Sequence, residues 1–328
     1  MILQDNLNAF YEVSKASPGP IPWSVTLNPL DSSQKKSSAE NLKINQSKLL
    51  IVFAIHGDEI DTLPGVLEFI SDFKKGKIVY PSSITFILGN PEAAKESTRF
   101  IEQDMNRLFV FPVPPSSTKE HLRSEAIFST FKDYSVLLDL HQTRMKLPHP
   151  FFCFAFHKAS YLWAKALEAA PVMVTRSPKE AFLPGKKCVD EAFRDLGKPS
   201  MTLELGHIGQ DLKEKTYKVL KNFVDVSQKV YFKELKIEAV AQKPLDLLQR
   251  IAYFNFSDPK MTLKPDLTNF RKISKGEELG KSILSPADGF ILFPKYPKRN
   301  DKGEAIPPYD PYLFQVLGSI SLDQALKW

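Results

Sequence analysis

Apolar residues fall into two rhythms along the chain. Short, mainly apolar runs at 49–55, 83–88, 135–140, 151–156 and 200–206 are rich in β-branched and aromatic residues and end in polar turns. Runs of that length predict strands buried on both faces. Between the first two, Leu63, Val66, Leu67, Phe69, Ile70 and Phe73 follow helical spacing over 62–74. Helices are also predicted over 119–132, 159–170, near 190–196, and over 211–234, where lysines take one face and apolar residues the other. An opening helix, a Pro-rich connection and a polar loop fill 1–45, and the Ser-, Lys- and Asn-rich stretch 31–47 is expected to be exposed. Residues 176–190 read as a loop. The strand–helix–strand order predicts an α/β sheet. After 235 the long helical periodicity stops. Pro, Lys, Asp and short apolar runs such as Phe290-Ile291-Leu292-Phe293 predict a smaller β-rich domain there.

Composition bounds this picture without changing it. The 328 residues can bury a large core, and they divide into one expected domain at 1–234 and a second at 235–328. The 24 Phe and 25 Pro point to aromatic packing and many loops. No apolar run reaches the length of a membrane span, and the first residues carry an acid and no basic segment, so no secretory signal is expected. Two cysteines, Cys153 and Cys188, make no disulfide framework, and a reduced cytoplasmic location is the default expectation. The net charge of +6 is either a solvated surface or a potential that draws in small anionic substrates. The lysines are scattered, with no basic-aromatic or helix-turn-helix pattern, so no nucleic-acid partner is expected.

The chemistry lies where the runs stop. The first ends at His56, and Glu59 follows three residues later. Open α/β sheets place ligands outside the carboxyl ends of their strands. An imidazole and a carboxylate can hold one face of a zinc ion, which needs a third protein donor and an open position for catalysis. His-x-x-Glu alone is a common chance match. The run at 135–140 supplies the third donor, because it ends Asp139-Leu140-His141. Two histidines and one carboxylate form a catalytic zinc set with the fourth position left for water. Asp139 is a candidate to orient its neighbours. The run at 200–206 is interrupted by Glu204. An unpaired buried carboxylate is unfavourable, so Glu204 is paired, at a site, or facing solvent at an edge. In a zinc hydrolase, a glutamate near the zinc water is the usual general base. His207 competes as ligand or base. Arg99, Asp104, Asn106 and Arg107 crowd one stretch. Since a guanidinium fits a carboxylate bidentately, that stretch is either an anion binder or a surface loop of ion pairs.

Taken together these blocks resemble the succinylglutamate desuccinylase/aspartoacylase family, a branch of the zinc carboxypeptidase-like fold, and within it the desuccinylases. His56-Gly57-Asp58-Glu59 is similar to the family's His-Gly-Asn/Asp-Glu. Asn90-Pro91 with Ala93, Arg99 and Asp104-Met105-Asn106-Arg107 is similar to its Asn-Pro-x-Ala block, later Arg and Asp-Leu-Asn-Arg. Asp139-Leu140-His141 and Thr202-Leu203-Glu204-Leu205-Gly206 match in order and spacing. Weaker similarity continues through Asn269-Phe270, Lys275-Gly276-Glu277 and Ile291-Leu292-Phe293-Pro294.

The resemblance implies a mixed β-sheet flanked by helices, with the smaller β-rich C-terminal domain shaping the substrate pocket. It implies one zinc ion held by His56, Glu59 and His141. Glu204 would be the general base and then the proton donor, and Arg99 would stabilise the oxyanion. Asn106 and Arg107 would hold the amino acid carboxylate, Arg194 the substrate's other carboxylate, and Tyr296 would touch substrate. The implied reaction is removal of a small acyl group, plausibly succinyl, from an N-acyl acidic amino acid such as N-succinylglutamate. The expected partner is thus a small anionic molecule, with no nucleic acid and no membrane. Departures from the pattern are Met105 for the usual Leu, Gln142-Thr143 after His141, and Lys295-Tyr296-Pro297-Lys298-Arg299 after Pro294. They bear on the acyl group and amino acid rather than on hydrolysis. The competing readings are a zinc carboxypeptidase, a cell-wall (peptidoglycan) peptide amidase, and a non-catalytic, metal-poor binding protein that keeps the fold.

Overall fold

The apolar run that begins at Leu49 divides its side chains between two cores. Leu49, Ile51 and Phe53 enter one cluster, with Phe69, Phe86, Leu138, Leu203 and Phe223. Leu50 and Val52 enter another, with Ile87, Phe131, Leu137 and Phe193. Successive side chains on a strand point to opposite faces, so a strand covered on both sides must be apolar throughout, as this one is. The computed structural model describes residues 2–29, 47–112, 118–180, 185–305 and 312–328. The expectation of an exposed loop at 31–47 lies almost wholly outside those residues.

Thirteen strands are present among the described residues: β1 (Ser24–Leu27), β2 (Leu49–Phe53), β3 (Ile84–Leu88), β4 (Val136–Thr143), β5 (Phe151–Cys153), β6 (Val172–Thr175), β7 (Ser200–His207), β8 (Asp246–Asn255), β9 (Lys272–Ile273), β10 (Glu278–Gly280), β11 (Ile283–Leu284), β12 (Gly289–Leu292) and β13 (Tyr312–Ser319). Eleven of them form one sheet in the order β1-β3-β2-β4-β7-β5-β6-β8-β13-β12-β9, and β10 pairs with β11 separately. The centre, β3-β2-β4-β7, is parallel. The edge strand β1 and the inner strand β5 run antiparallel to their neighbours β3 and β7. The sheet is therefore mixed, as expected.

The helices that cover it are α1 (Ile2–Ala16), α2 (Leu63–Lys74), α3 (Pro91–Lys95), α4 (Lys119–Thr130), α5 (Lys158–Leu167), α6 (Val189–Arg194) and α7 (Lys213–Tyr231), followed by two single turns, Ile237–Val240 and Leu322–Ala325. α1, α2, α4, α5, α6 and α7 match the helices read from the sequence, whereas α3 and the two single turns were not expected. The strands differ more. β4 runs through His141 to Thr143, beyond the apolar stretch, because β7 carries Glu204, Gly206 and His207 alongside it. The run at 151–156 is regular only to Cys153, although the amides of Phe154 and Phe156 still donate to Val174 and Arg176. β1 and β6, four residues each, were not expected. The β-rich C-terminal part joins the first sheet directly, since β8 pairs in parallel with β6.

Gly57 is required by packing. A Cβ there would lie 2.1 Å from the carbonyl carbon of Ala93 and 2.3 Å from the amide of Ala94, in α3. The turn after β2 can thus lie flush against α3 only without a side chain. Gly57→Ala is expected to lower the unfolding free energy by about 1–3 kcal/mol. An unchanged denaturation midpoint would show that the two segments can part without loss.

Candidate active site

Three strands, β2, β4 and β7, bring the site together. β2 stops at Phe53, and Ala54 takes the left-handed conformation, φ 52°. That region is strained for a residue with a Cβ and is common near functional sites. A turn closes from the Glu59 amide to the His56 carbonyl at 3.1 Å, which puts both side chains on one side. His141 and Glu204 sit opposite each other on β4 and β7, on one face of the sheet.

The geometry is tight. His56 Nδ1 lies 2.7 Å from Glu59 Oε1, and His141 Nδ1 lies 2.7 Å from Glu59 Oε2. All three residues are 3% exposed. The other nitrogen of each ring is held by a carboxylate: His56 Nε2 is 3.0 Å from Asp104 Oδ1, and His141 Nε2 is 2.9 Å from Asp139 Oδ2. Arg99 bridges Glu59 Oε1 at 3.3 Å and Asp104 Oδ2 at 3.2 Å.

Charge follows from these contacts. Burial works to raise the Glu59 carboxyl, but the two imidazoles outweigh it and hold it well below the ordinary carboxylate range. Asp104 is likewise held low, against burial, by His56 and Arg99. Burial alone would lower His141, yet Asp139 and Glu59 raise it well above an ordinary histidine. Burial raises Asp139.

The donor set suits a metal ion. One donor atom from each of His56, Glu59 and His141 falls within 4.8 Å of the others. Two imidazoles and a carboxylate are a borderline cation's donors. Rings whose far nitrogen is pinned by a carboxylate are oriented for ligation. Three carboxylates, of Glu59, Asp104 and Asp139, surround the two rings, with Arg99 and Arg107 in ion-pair reach of them.

Glu204 differs from the other acids. Its Oε2 is buried and has no hydrogen-bond partner, and burial pushes its carboxyl up to about 7. Leaving such an atom unpaired costs about 1–3 kcal/mol, which makes sense if substrate or water completes it. Burial also pushes the Cys153 thiol up to about 12, so it is no nucleophile near neutral pH.

Of the remaining candidates, Asn106 and Arg107 reach the cluster, Arg107 Nη2 lying 3.9 Å from Asp104 Oδ2. Asn106 and Arg107 occupy a single 3-10 turn capped by Asp104. Asn106 Nδ2 lies 3.4 Å from His141 Nε2, and Asn106 Oδ1 accepts from the Val189 amide at 3.1 Å. Arg107 Nη1 donates to the Asn106 carbonyl and lies 3.6 Å from Cys188 Sγ. Arg194 is not in contact with the cluster. It is ion-paired with Asp190 at 2.6 Å and donates to Ser200, while its Nη2 is buried without a partner. The Tyr296 hydroxyl donates to the Lys264 carbonyl, and its ring is 38% exposed. Among the described residues its hydroxyl meets backbone of the C-terminal part and not the cluster. His207 engages through its backbone, its carbonyl accepting from Gln142 Nε2 at 3.3 Å. The Asp104–His56 contact was not foreseen. An acid two residues before Asn106, at the head of a turn, was its only local sign.

The mixed α/β sheet is a fold shared with solved structures. The structure of the succinylglutamate desuccinylase from Chromobacterium violaceum superimposes with a TM-score of 0.65, covering 98% of both chains at 16% identity. The family description "Succinylglutamate desuccinylase/Aspartoacylase catalytic domain" matches residues 45–229, more than half of the chain. This chain belongs to that family. Among its relatives are the succinylglutamate desuccinylases of Pseudomonas paraeruginosa, 26% identical over 280 residues (76% of this chain and 80% of that one), and of Pseudomonas fluorescens, 28% identical over 284 residues (78% and 81%).

Proposed function

We propose that the chain is a zinc-dependent amidohydrolase that removes a small acyl group, succinyl in the first instance, from an N-acyl acidic amino acid such as N-succinylglutamate. The observation that carries this reading is the unpartnered carboxylate of Glu204 beside a His–Glu–His group whose rings are both pinned by acids. His56, Glu59 and His141 would hold one zinc ion. When bound, zinc supplies Lewis acidity and an acidified water.

The residues divide the work. Glu204 takes the proton from the attacking water and returns it to the leaving nitrogen. Arg99, fixed by Glu59 and Asp104, stands as the cation for the developing oxyanion. Asn106 and Arg107 hold the amino acid carboxylate. Arg194 is a second carboxylate contact through its free Nη2, provided Asp190 shares it. Tyr296 enters by its place in the sequence alone. The part beyond 235 shapes the pocket: Phe270 and Phe293 pack on Phe151, which lies beside Glu204 in the sheet. Free cysteines support a cytoplasmic location, and among the described residues no helix is long and apolar enough to cross a membrane.

The test is release of free amine from N-succinylglutamate, N-acetylaspartate and N-acetylglutamate by the zinc-loaded protein. Preferred turnover of the first supports the assignment. Turnover of peptides alone would replace it with a peptidase. A pH profile checks the base. A general base acts only when ionised, so kcat/KM is expected to fall about tenfold per pH unit on the acid side. That limb lies at or below pH 7, since a bound cation favours the carboxylate. A rate that climbs as pH falls contradicts the role of Glu204.

A further inference from the structure

Gln142 is 2% exposed and joins three segments that carry the site. Its amide donates to Glu59 Oε2 at 3.1 Å. Its side chain forms a reciprocal pair with Asp61: the Asp61 amide donates to Gln142 Oε1 at 2.9 Å, and Gln142 Nε2 donates to Asp61 Oδ2 at 2.8 Å. The same Nε2 reaches the His207 carbonyl at 3.3 Å, and the Gly209 amide donates to Asp61 Oδ2 at 2.7 Å. Glu59 is therefore fixed directly and again through Asp61, two residues along the same turn. The end of β7 beyond Glu204 is fastened to that turn by both members of the pair.

A β-bulge makes this possible. The register of β4 against β7 shifts between His141 and Gln142, so that His141 faces Glu204 while Gln142 faces Gly206. Bulges re-aim groups beside active sites, and here the Gln142 amide points at Glu59.

We propose that Gln142 and Asp61 form a positioning pair that sets Glu59 against His141 and thereby tunes metal affinity. This rests on reading His56, Glu59 and His141 as a metal site. Without the pair, the Gln142 backbone amide still meets Glu59, but the Asp61 amide loses its acceptor and the turn that carries Glu59 loses its tie to β4 and to the end of β7. Groups that orient a metal ligand typically change affinity by about 10- to 100-fold when removed.

The experiment measures the zinc dissociation constant of the full chain by competition with a chromophoric chelator, well below the melting temperature. Wild type is compared with Gln142→Leu, Asp61→Ala and the double variant. Each single variant is expected to weaken zinc by about 10- to 100-fold, and the double variant by no more than the worse single one, because the two residues act as a unit. A general loss of stability would lower the melting temperature and leave the zinc constant unmoved, which overturns the proposal. If the buried Gln142→Leu variant fails to fold, the partly exposed Asp61→Ala decides by the same criterion. A wild type that takes up no zinc overturns the metal reading and this pair with it. A wild type that binds zinc beside variants of equal affinity overturns the pair alone.

Discussion

Glu204→Gln is expected to lower kcat on N-succinylglutamate by about 10²–10⁴-fold and to leave zinc binding in place. Glutamine keeps the shape of the side chain but cannot accept the water's proton or return it to the leaving nitrogen. The substitution does not touch the three metal donors, which hold one another and Asp104 and Asp139. Turnover close to wild type would remove Glu204 from the chemistry.

The same substitution separates activity from stability. In the metal-free protein, burial lifts the Glu204 carboxyl from 4.5 to about 7. An acid whose folded pKa lies above its unfolded one favours folding fully below the unfolded value, and that contribution is lost as pH rises toward the folded one. The metal-free wild type should therefore lose stability between about pH 4.5 and 7, a loss that metal-free Glu204→Gln escapes. Thermal melts at pH 5 and 8 compare the two. The variant should be the more stable at pH 8 and not at pH 5.

His141→Ala is the second large change expected. It removes one of three donors and leaves Glu59 and Asp139 without the ring that each contacts, a charge imbalance in a buried place. The protein should emerge from gel filtration without zinc and without amine release above background. Asp139→Asn keeps all three donors and alters what His141 Nε2 and the Thr202 hydroxyl meet, so it should cost about 10–100-fold in zinc affinity or activity. The graded order is the informative part. Equal loss in both variants, or full zinc in His141→Ala, contradicts the donor assignment.

The sequence displays the site where an apolar strand ends in a polar residue. His56, His141 and Glu204 stand out because the residues around them on β2, β4 and β7 are largely buried and mostly apolar. What holds these residues is hidden. Asp104 is 48 positions from His56, in a stretch with no periodicity, and Gln142 is 81 positions from Asp61. Contacts of that separation are decided by the fold and leave no local pattern. The i,i+4 contact of Arg194 with Asp190 was also not legible, because helix phase alone does not say whether two charged residues meet each other or a ligand. β6 escapes because four residues are too few to show a period. The change of composition at 235 marks the β-rich segment, yet β8 reaches β6 by backbone pairing, which composition cannot report.

The central claim is tested most directly by titrating metal-free protein with zinc while following amine release from N-succinylglutamate. Activity should rise in proportion to added zinc and level off at about one equivalent per chain, as one His56–Glu59–His141 group requires. Full activity without zinc, or none at any amount of it, would contradict the account.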